Sequence, residues 1–149
     1  MDFVFASLLF ILLLGFTVVA YQGYVDTYLK DETKRNLESS VLSISEILIK
    51  SEGFPTSWET NPTGVVVPGL ASSENILDSN KVVAFGNLSY NTTKQLFGLN
   101  KELYISIKTL DGTQVFSKGT EQENASSVAI ERLVYFNRSI CKLKVRLYD

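Results

Sequence analysis

Met1-Asp-Phe-Val-Phe-Ala-Ser-Leu-Leu-Phe-Ile-Leu-Leu-Leu-Gly-Phe-Thr-Val-Val-Ala-Tyr-Gln-Gly-Tyr-Val25 decides how this chain is read. It holds one charge, Asp2, at its very start, and Phe3 to Val25 is uncharged. A helix of that length is about 35 Å long, enough to cross a hydrocarbon layer of about 30 Å. The apolar character stops at Asp26, but the helical pattern continues. No proline interrupts the chain between Met1 and Phe54. Asp31 and Arg35 form an i, i+4 pair in the favourable order. Leu37, Val41, Ile44 and Leu48 recur at i, i+4, i+7 and i+11, an apolar stripe. The sequence therefore predicts one helix from near the N-terminus to about Lys50, ended by Gly53 and Pro55. Its first half is apolar on every side and must be buried in lipid or in protein. Its second half is amphipathic and needs cover on one face only.

Three fates suit such a segment. A secretory signal would bring a basic n-region and a shorter apolar run, of about 7–15 residues. A retained anchor fits, because each Leu, Ile, Phe or Val favours insertion by about 0.3–0.6 kcal/mol. An assembly helix obeys the same physics and ends among identical helices. Tyr21, Tyr24 and Tyr28 share one helical face, where they suit either a membrane-interface belt or packing against the soluble domain. The charges after the span are mixed and give little orientation. Four N-x-[ST] sequons, at Asn87, Asn91, Asn124 and Asn137, favour an extracytoplasmic domain as glycosylation candidates, while Asn61-Pro-Thr is barred by proline.

The 149 residues carry 14 basic and 16 acidic side chains, no His and one Cys, so an intrachain disulfide is impossible. Without His, nucleophile–His catalysis is out, and Cys/His metal sites go with it. Scattered basic residues give no nucleic-acid face. Glu46, Glu52, Glu59 and Glu74 are dispersed rather than paired, the glycines are isolated, and Cys141 reads as a core thiol. The sequence thus points to no enzyme, no cofactor and no metal.

Ser51 to Ser73 reads as a loop pinned to the core by Trp58. Asp78-Ser79-Asn80 reads as the cap of a short helix, Lys81 to Phe85, and Ser89 to Phe97 as a second. The period then changes to two. Leu103 to Leu110 and Gln114 to Lys118 read as strands joined by a type I′ turn at Asp111-Gly112. Gly119 to Ser126 is a polar loop. Val128 to Phe136 is a strand, Asn137-Arg138 a tight turn. In the last strand, Ile140 to Tyr148, Cys141, Leu143, Val145 and Leu147 face one way and Lys142, Lys144 and Arg146 the other. The fold class expected is α+β: a long N-terminal helix packed on a C-terminal antiparallel sheet with one wet face. The domains expected are a hydrophobic segment 1–25 and a head 26–149.

This layout resembles the type IV pilins, and more narrowly the archaeal pilin-like proteins made with class III signal peptides. In that family the leader ends in a basic residue and Gly. The mature chain opens with a short polar stretch, then an acid and usually Phe. Asp2-Phe3 match that pair, with only Met1 before them here. Ser43 to Glu59, with its helix end, Gly-Phe-Pro and Trp58-Glu59, is similar to the junction after the helix in several such proteins. The strand-rich C-terminus is the third likeness. The resemblance implies a structural subunit of a surface filament, held in the cell membrane before assembly, with its head outside. Its partners would be copies of itself or other pilins, and Asp2, Phe3, Phe5, Leu9, Leu13 and Phe16 would serve assembly. In pilins the matching acid is thought to neutralise the N-terminal amine of a neighbouring subunit. The alternative is a single-pass anchored extracytoplasmic binding or accessory domain that does not polymerise.

Overall fold

The computed structural model describes residues 2–123 and 125–149, except the side chains of Asp2, Asp26 and Lys30. Two compact units divide the chain, Met1–Asn36 and Leu37–Asp149. Helix α1, Asp2–Lys50, accounts for the described part of the first and opens the second. The second continues with two 3-10 turns, Trp58–Thr60 and Pro62–Gly64, strands β1, Ala71–Ser73, and β2, Ile76–Leu77, and helices α2, Ser79–Asn87, and α3, Tyr90–Leu96. Strands β3, Leu103–Thr109, β4, Gln114–Lys118, β5, Ser127–Phe136, and β6, Ser139–Tyr148, complete it.

Within the second unit the core follows from the two periods of the sequence. Leu37, Val41, Ile44 and Leu48 share one buried cluster with Ile105, Ile107, Cys141, Leu143, Val145 and Leu147 of β3 and β6. The helical stripe thus covers the apolar sheet face, as the amphipathic pattern predicts. Phe85 of α2 closes one side, edge-on to Phe97 at 6.3 Å and tilted against Phe116 at 6.1 Å.

α1 ends because its last carbonyls find partners in the following loop. Leu70 N–H donates to Leu48 O at 3.1 Å and Asn75 N–H to Ile49 O at 2.8 Å. Gly53 turns the chain at φ +86, where a Cβ would lie 2.5 Å from the Trp58 ring nitrogen. Trp58 is buried, and its Nε1–H donates to Gly69 O at 2.9 Å, so the indole does pin this segment to the core.

The sheet order is β1-β2-β5-β6-β3-β4. Here the structure corrects the sequence reading. The four long strands pair antiparallel, but β2 joins β5 in parallel, so the curled sheet is mixed. β1 lies at the end of the segment expected as loop, and β2 in a stretch to which the sequence assigns no element. Their backbone is held largely by neighbours: Tyr135 N–H donates to Asn75 O at 2.8 Å.

The turns also differ. After β3 the chain makes a four-residue connection in which Gly112 has φ +92 but Asp111 does not reach positive φ, so it is not type I′. The Asp111 carboxylate instead accepts from Thr113 N–H at 3.0 Å and from the Thr109 hydroxyl. The primed geometry occurs at Asn137-Arg138, with φ 48 and 65. Asp78 caps α2, accepting from Asn80 N–H at 2.7 Å, and the helix runs to Asn87 rather than stopping at Phe85. Ser89 caps α3.

The outer sheet face is less wet than its alternation implies. Tyr104, Ser106 and Tyr148 are buried there. The loop after β4 reaches over them: Gln122 N–H donates to the Tyr148 hydroxyl at 2.8 Å, and Glu121 pairs with Lys144 and Arg146.

Two lysines are structural. Lys81 donates to Glu52 O at 2.8 Å and Ala71 O at 3.2 Å. Lys118 of β4 donates to Phe85 O at 2.6 Å, Gly86 O at 3.2 Å and Leu88 O at 2.7 Å, closing the C-terminus of α2. Burial pushes the Lys118 ammonium below the usual lysine range.

Leu48→Ala is expected to cost about 2–5 kcal/mol, as a buried Leu truncation does, whereas Leu42→Ala, at a half-exposed site, costs under about 1 kcal/mol. Urea unfolding of the full chain in detergent, followed by Trp58 fluorescence, checks this. Equal midpoints for the two variants would refute the stripe as the sheet's cover. Lys118→Met should lose about 1–3 kcal/mol by the same assay, because it strands the carbonyls of Phe85 and Leu88.

Candidate membrane and assembly surface

The segment Phe3–Val25 is built entirely within α1. It is long and apolar enough to cross a membrane. Its large side chains lie open: Phe3 is 84% exposed, Phe5 75% and Phe16 75%. Leu9 and Leu13 are exposed too. Phe5, Leu9, Leu13 and Phe16 fall on one face at i, i+4, i+8 and i+11, whereas Phe3 lies on another. Val4, Leu8, Phe10, Ile11 and Leu14 fill the remaining sides and are exposed as well. The surface is therefore a cylinder of hydrocarbon rather than a stripe.

The small hydroxyls in and just after this cylinder are neutralised locally. The Ser7 hydroxyl donates to Phe3 O at 2.8 Å and the Thr17 hydroxyl to Leu14 O at 2.8 Å. The Thr27 hydroxyl does the same to Gly23 O at 2.9 Å. Each spares the segment an unpaired donor in a dry setting. Gly15 and Gly23 are interior to the helix, where glycine costs about 1 kcal/mol relative to alanine. A Cβ at either would meet nothing within 4 Å. Packing within this chain gives these glycines no role. Asp2 begins the helix, but its side chain lies outside the described residues. Tyr21, Tyr24 and Tyr28 are exposed.

The sequons are dispersed over the second unit. Asn87 ends α2 and Asn91 lies in the first turn of α3, both exposed. The Asn91 sequon has its Thr93 hydroxyl buried against Ser89 O at 3.0 Å. Asn137 is fixed in the hairpin turn, its Oδ1 accepting from the Ser79 hydroxyl at 2.9 Å. Asn124 lies outside the described residues.

Glu46 pairs with Lys50 at 3.4 Å on the helix surface. Among the described residues no group of three or more His, Cys, Asp or Glu side chains is placed to hold a metal ion. Cys141 is buried, and burial raises its thiol above the usual range. Glu102 is held below the usual carboxylate range by the Lys94 ammonium, then by the Tyr90 hydroxyl, which ties α3 to the start of β3.

In cells, the full chain is expected to remain with membranes through alkaline carbonate extraction. A Leu12→Arg/Leu13→Arg variant should be released, since each arginine at the centre of a span costs about 2.5–3.5 kcal/mol. Retention of that variant would show that something other than this segment holds the chain. No protein-family model, no curated protein and no solved structure matches the chain.

Proposed function

We propose that the chain is a structural subunit of a type IV pilus-like surface filament, of the archaeal pilin-like kind. One observation carries the reading. A single helix exposes hydrocarbon on every side in its first half and is built into an α+β core by its last turns. The first half needs cover that its own chain does not supply. In this reading the cover is lipid before assembly and identical helices afterwards. Phe3, Phe5, Leu9, Leu13 and Phe16 then form the helix contacts, and the unit Leu37–Asp149 makes the filament surface outside the cell. Contacts of this head-to-tail kind do not close on themselves and produce filaments. Gly15 and Gly23 acquire a use, since small residues let helix backbones approach closely. Asp2 sets axial register by neutralising a neighbour's N-terminal amine, because an unpaired charge is heavily penalised in a dry interior.

A second reading keeps the span as a plain anchor for an extracytoplasmic binding or accessory domain. It is favoured by the self-contained core of Leu37–Asp149. An anchor tolerates shuffled apolar residues, whereas an assembly helix does not. A scrambled Phe5–Val19 segment of equal hydrophobicity that keeps full function would favour the anchor.

Asp2→Ala is expected to leave membrane insertion and the folding of the head intact while reducing filaments at least several-fold, and Asp2→Glu to be partly tolerated. Electron microscopy of surface appendages, with carbonate extraction as the insertion control, reads both. Normal filaments from the alanine variant would remove the role of Asp2. Unchanged filaments in cells lacking the gene would remove the major-subunit assignment.

A further inference from the structure

The outer face of the sheet concentrates cations that folding alone does not call for. Register sets Lys108 of β3 directly opposite Lys142 of β6. Like charges at opposed positions of neighbouring strands cost stability. Lys144, one step along, is opposite Ser106 on one side and Glu131 on the other. Its charge is met by Glu121 at 3.1 Å. Lys108 and Lys142 form no ion pair among the described residues.

Lys108, Lys142 and Lys144 line one cavity of about 180 Å³ together with one carboxylate, Glu131, while Glu121 beside it pairs with Lys144 and also acts on Lys108. Ser106 lines it as well. That residue is 0% exposed, and its Oγ has no hydrogen-bond partner among the described residues. A buried hydroxyl without a partner carries the full cost of leaving water. Two unfavourable features, an opposed lysine pair and an orphaned hydroxyl, thus meet at one cavity. Both are relieved by the same guest.

We propose that this cavity binds a small oxyanion, the phosphate, sulfate or carboxylate group of a ligand. The ammonium groups of Lys108 and Lys142 bind it, and the Ser106 hydroxyl, closed off by the side chains over it, becomes a third donor when those chains shift onto the guest. Charge-assisted bonds from ammonium groups to such oxygens are the strong kind. The size admits one charged group and part of what bears it, since about 10–15 Å³ of such space already holds a water. Glu131 and Glu121 repel an extended polyanion on the Lys144 side, which restricts the guest to one compact charge. The site does not rest on the filament reading.

Isothermal titration calorimetry on the full chain in non-ionic detergent tests it. The probes are sodium phosphate, sodium sulfate and sodium glucuronate, against glucose and against sodium chloride at matched ionic strength. Saturable binding of the oxyanions, and none of glucose or chloride, is expected. Preference for phosphate would identify a phosphoryl ligand, and preference for glucuronate an acidic sugar. Lys108→Gln/Lys142→Gln should weaken binding roughly tenfold or more. Lys50→Gln/Lys101→Gln, with the same change in net charge, should leave it unaltered. Ser106→Ala should keep or raise the thermal midpoint without ligand, yet weaken phosphate binding several-fold. Absence of saturable binding would overturn the proposal, as would equal losses in the two lysine double variants. Self-association that is lost in Lys108→Gln/Lys142→Gln and indifferent to every oxyanion would also overturn it, and would assign the lysine pair to a second copy of the chain.

Discussion

The burial of Leu37, Val41, Ile44 and Leu48 against the apolar face of β3 and β6 is the contact on which the second unit depends. A sheet whose strands alternate apolar and polar residues cannot stand with its dry face in water. α1 covers that face with one side chain per turn. Fully burying a Leu, Ile or Val contributes about 1.5–3 kcal/mol relative to leaving it exposed. The helix end is then fixed from the other direction. Leu70 and Asn75 donate to its last carbonyls, and Trp58 is held over Gly53 and Gly69. A Cβ at Gly69 would fall 2.1 Å from Ser51 O, so the close approach of the two backbones requires glycine there.

Much of this was legible in the residues. The spacing of four aliphatics predicts the buried helical face, and the alternation in Ile140 to Tyr148 predicts which side of the last strand is dry. Both features are strong because each residue in the pattern is buried by the same partner. β1 and β2 were not legible. They are three and two residues long, and no period emerges from so few positions. Their pairing depends on the end of α1 and on Tyr135, distant in sequence. The turn after β3 misled because Asp-Gly suits a primed turn in isolation, whereas the Asp111 carboxylate binds Thr109 and Thr113 and favours a longer connection. For the candidate assembly residues, exposure has no signature in the sequence beyond hydrophobicity. A buried helix and an open one read alike by composition.

The buried lysines mark another limit of reading by residue type. Lys81 and Lys118 look like surface charges in the sequence, yet both are buried and donate to main-chain carbonyls. A long aliphatic stem with a donor at its tip lets Lys118 reach the carbonyls at the end of α2, and Lys81 those of Glu52 and Ala71. The same chemistry has no such outlet at Lys108 and Lys142. Both face outward, each opposite the other, with the nearest acids already engaged by Lys144 or placed across from it. Position in the register, rather than residue type, separates a capping lysine from one left to bind something else.

The apolar half of α1 raises a different question, that of specificity. In lipid a leucine gains nothing by exchanging a hydrocarbon neighbour for another leucine. The large side chains from Phe3 to Val25 therefore explain why the segment leaves water, but not why it would prefer its own kind to lipid. The hydroxyls of Ser7 and Thr17 are already bonded to their own helix and have little to offer a neighbour. Besides the polar tips of Tyr21, Gln22 and Tyr24 at its end, what remains is the absence of side chain at Gly15 and Gly23, which permits close backbone approach, and the carboxylate of Asp2. Under the filament reading, bulk hydrophobicity and partner choice thus rest on different residues of one helix. The aliphatics commit the segment to a dry environment, and the glycines and the acid select which one.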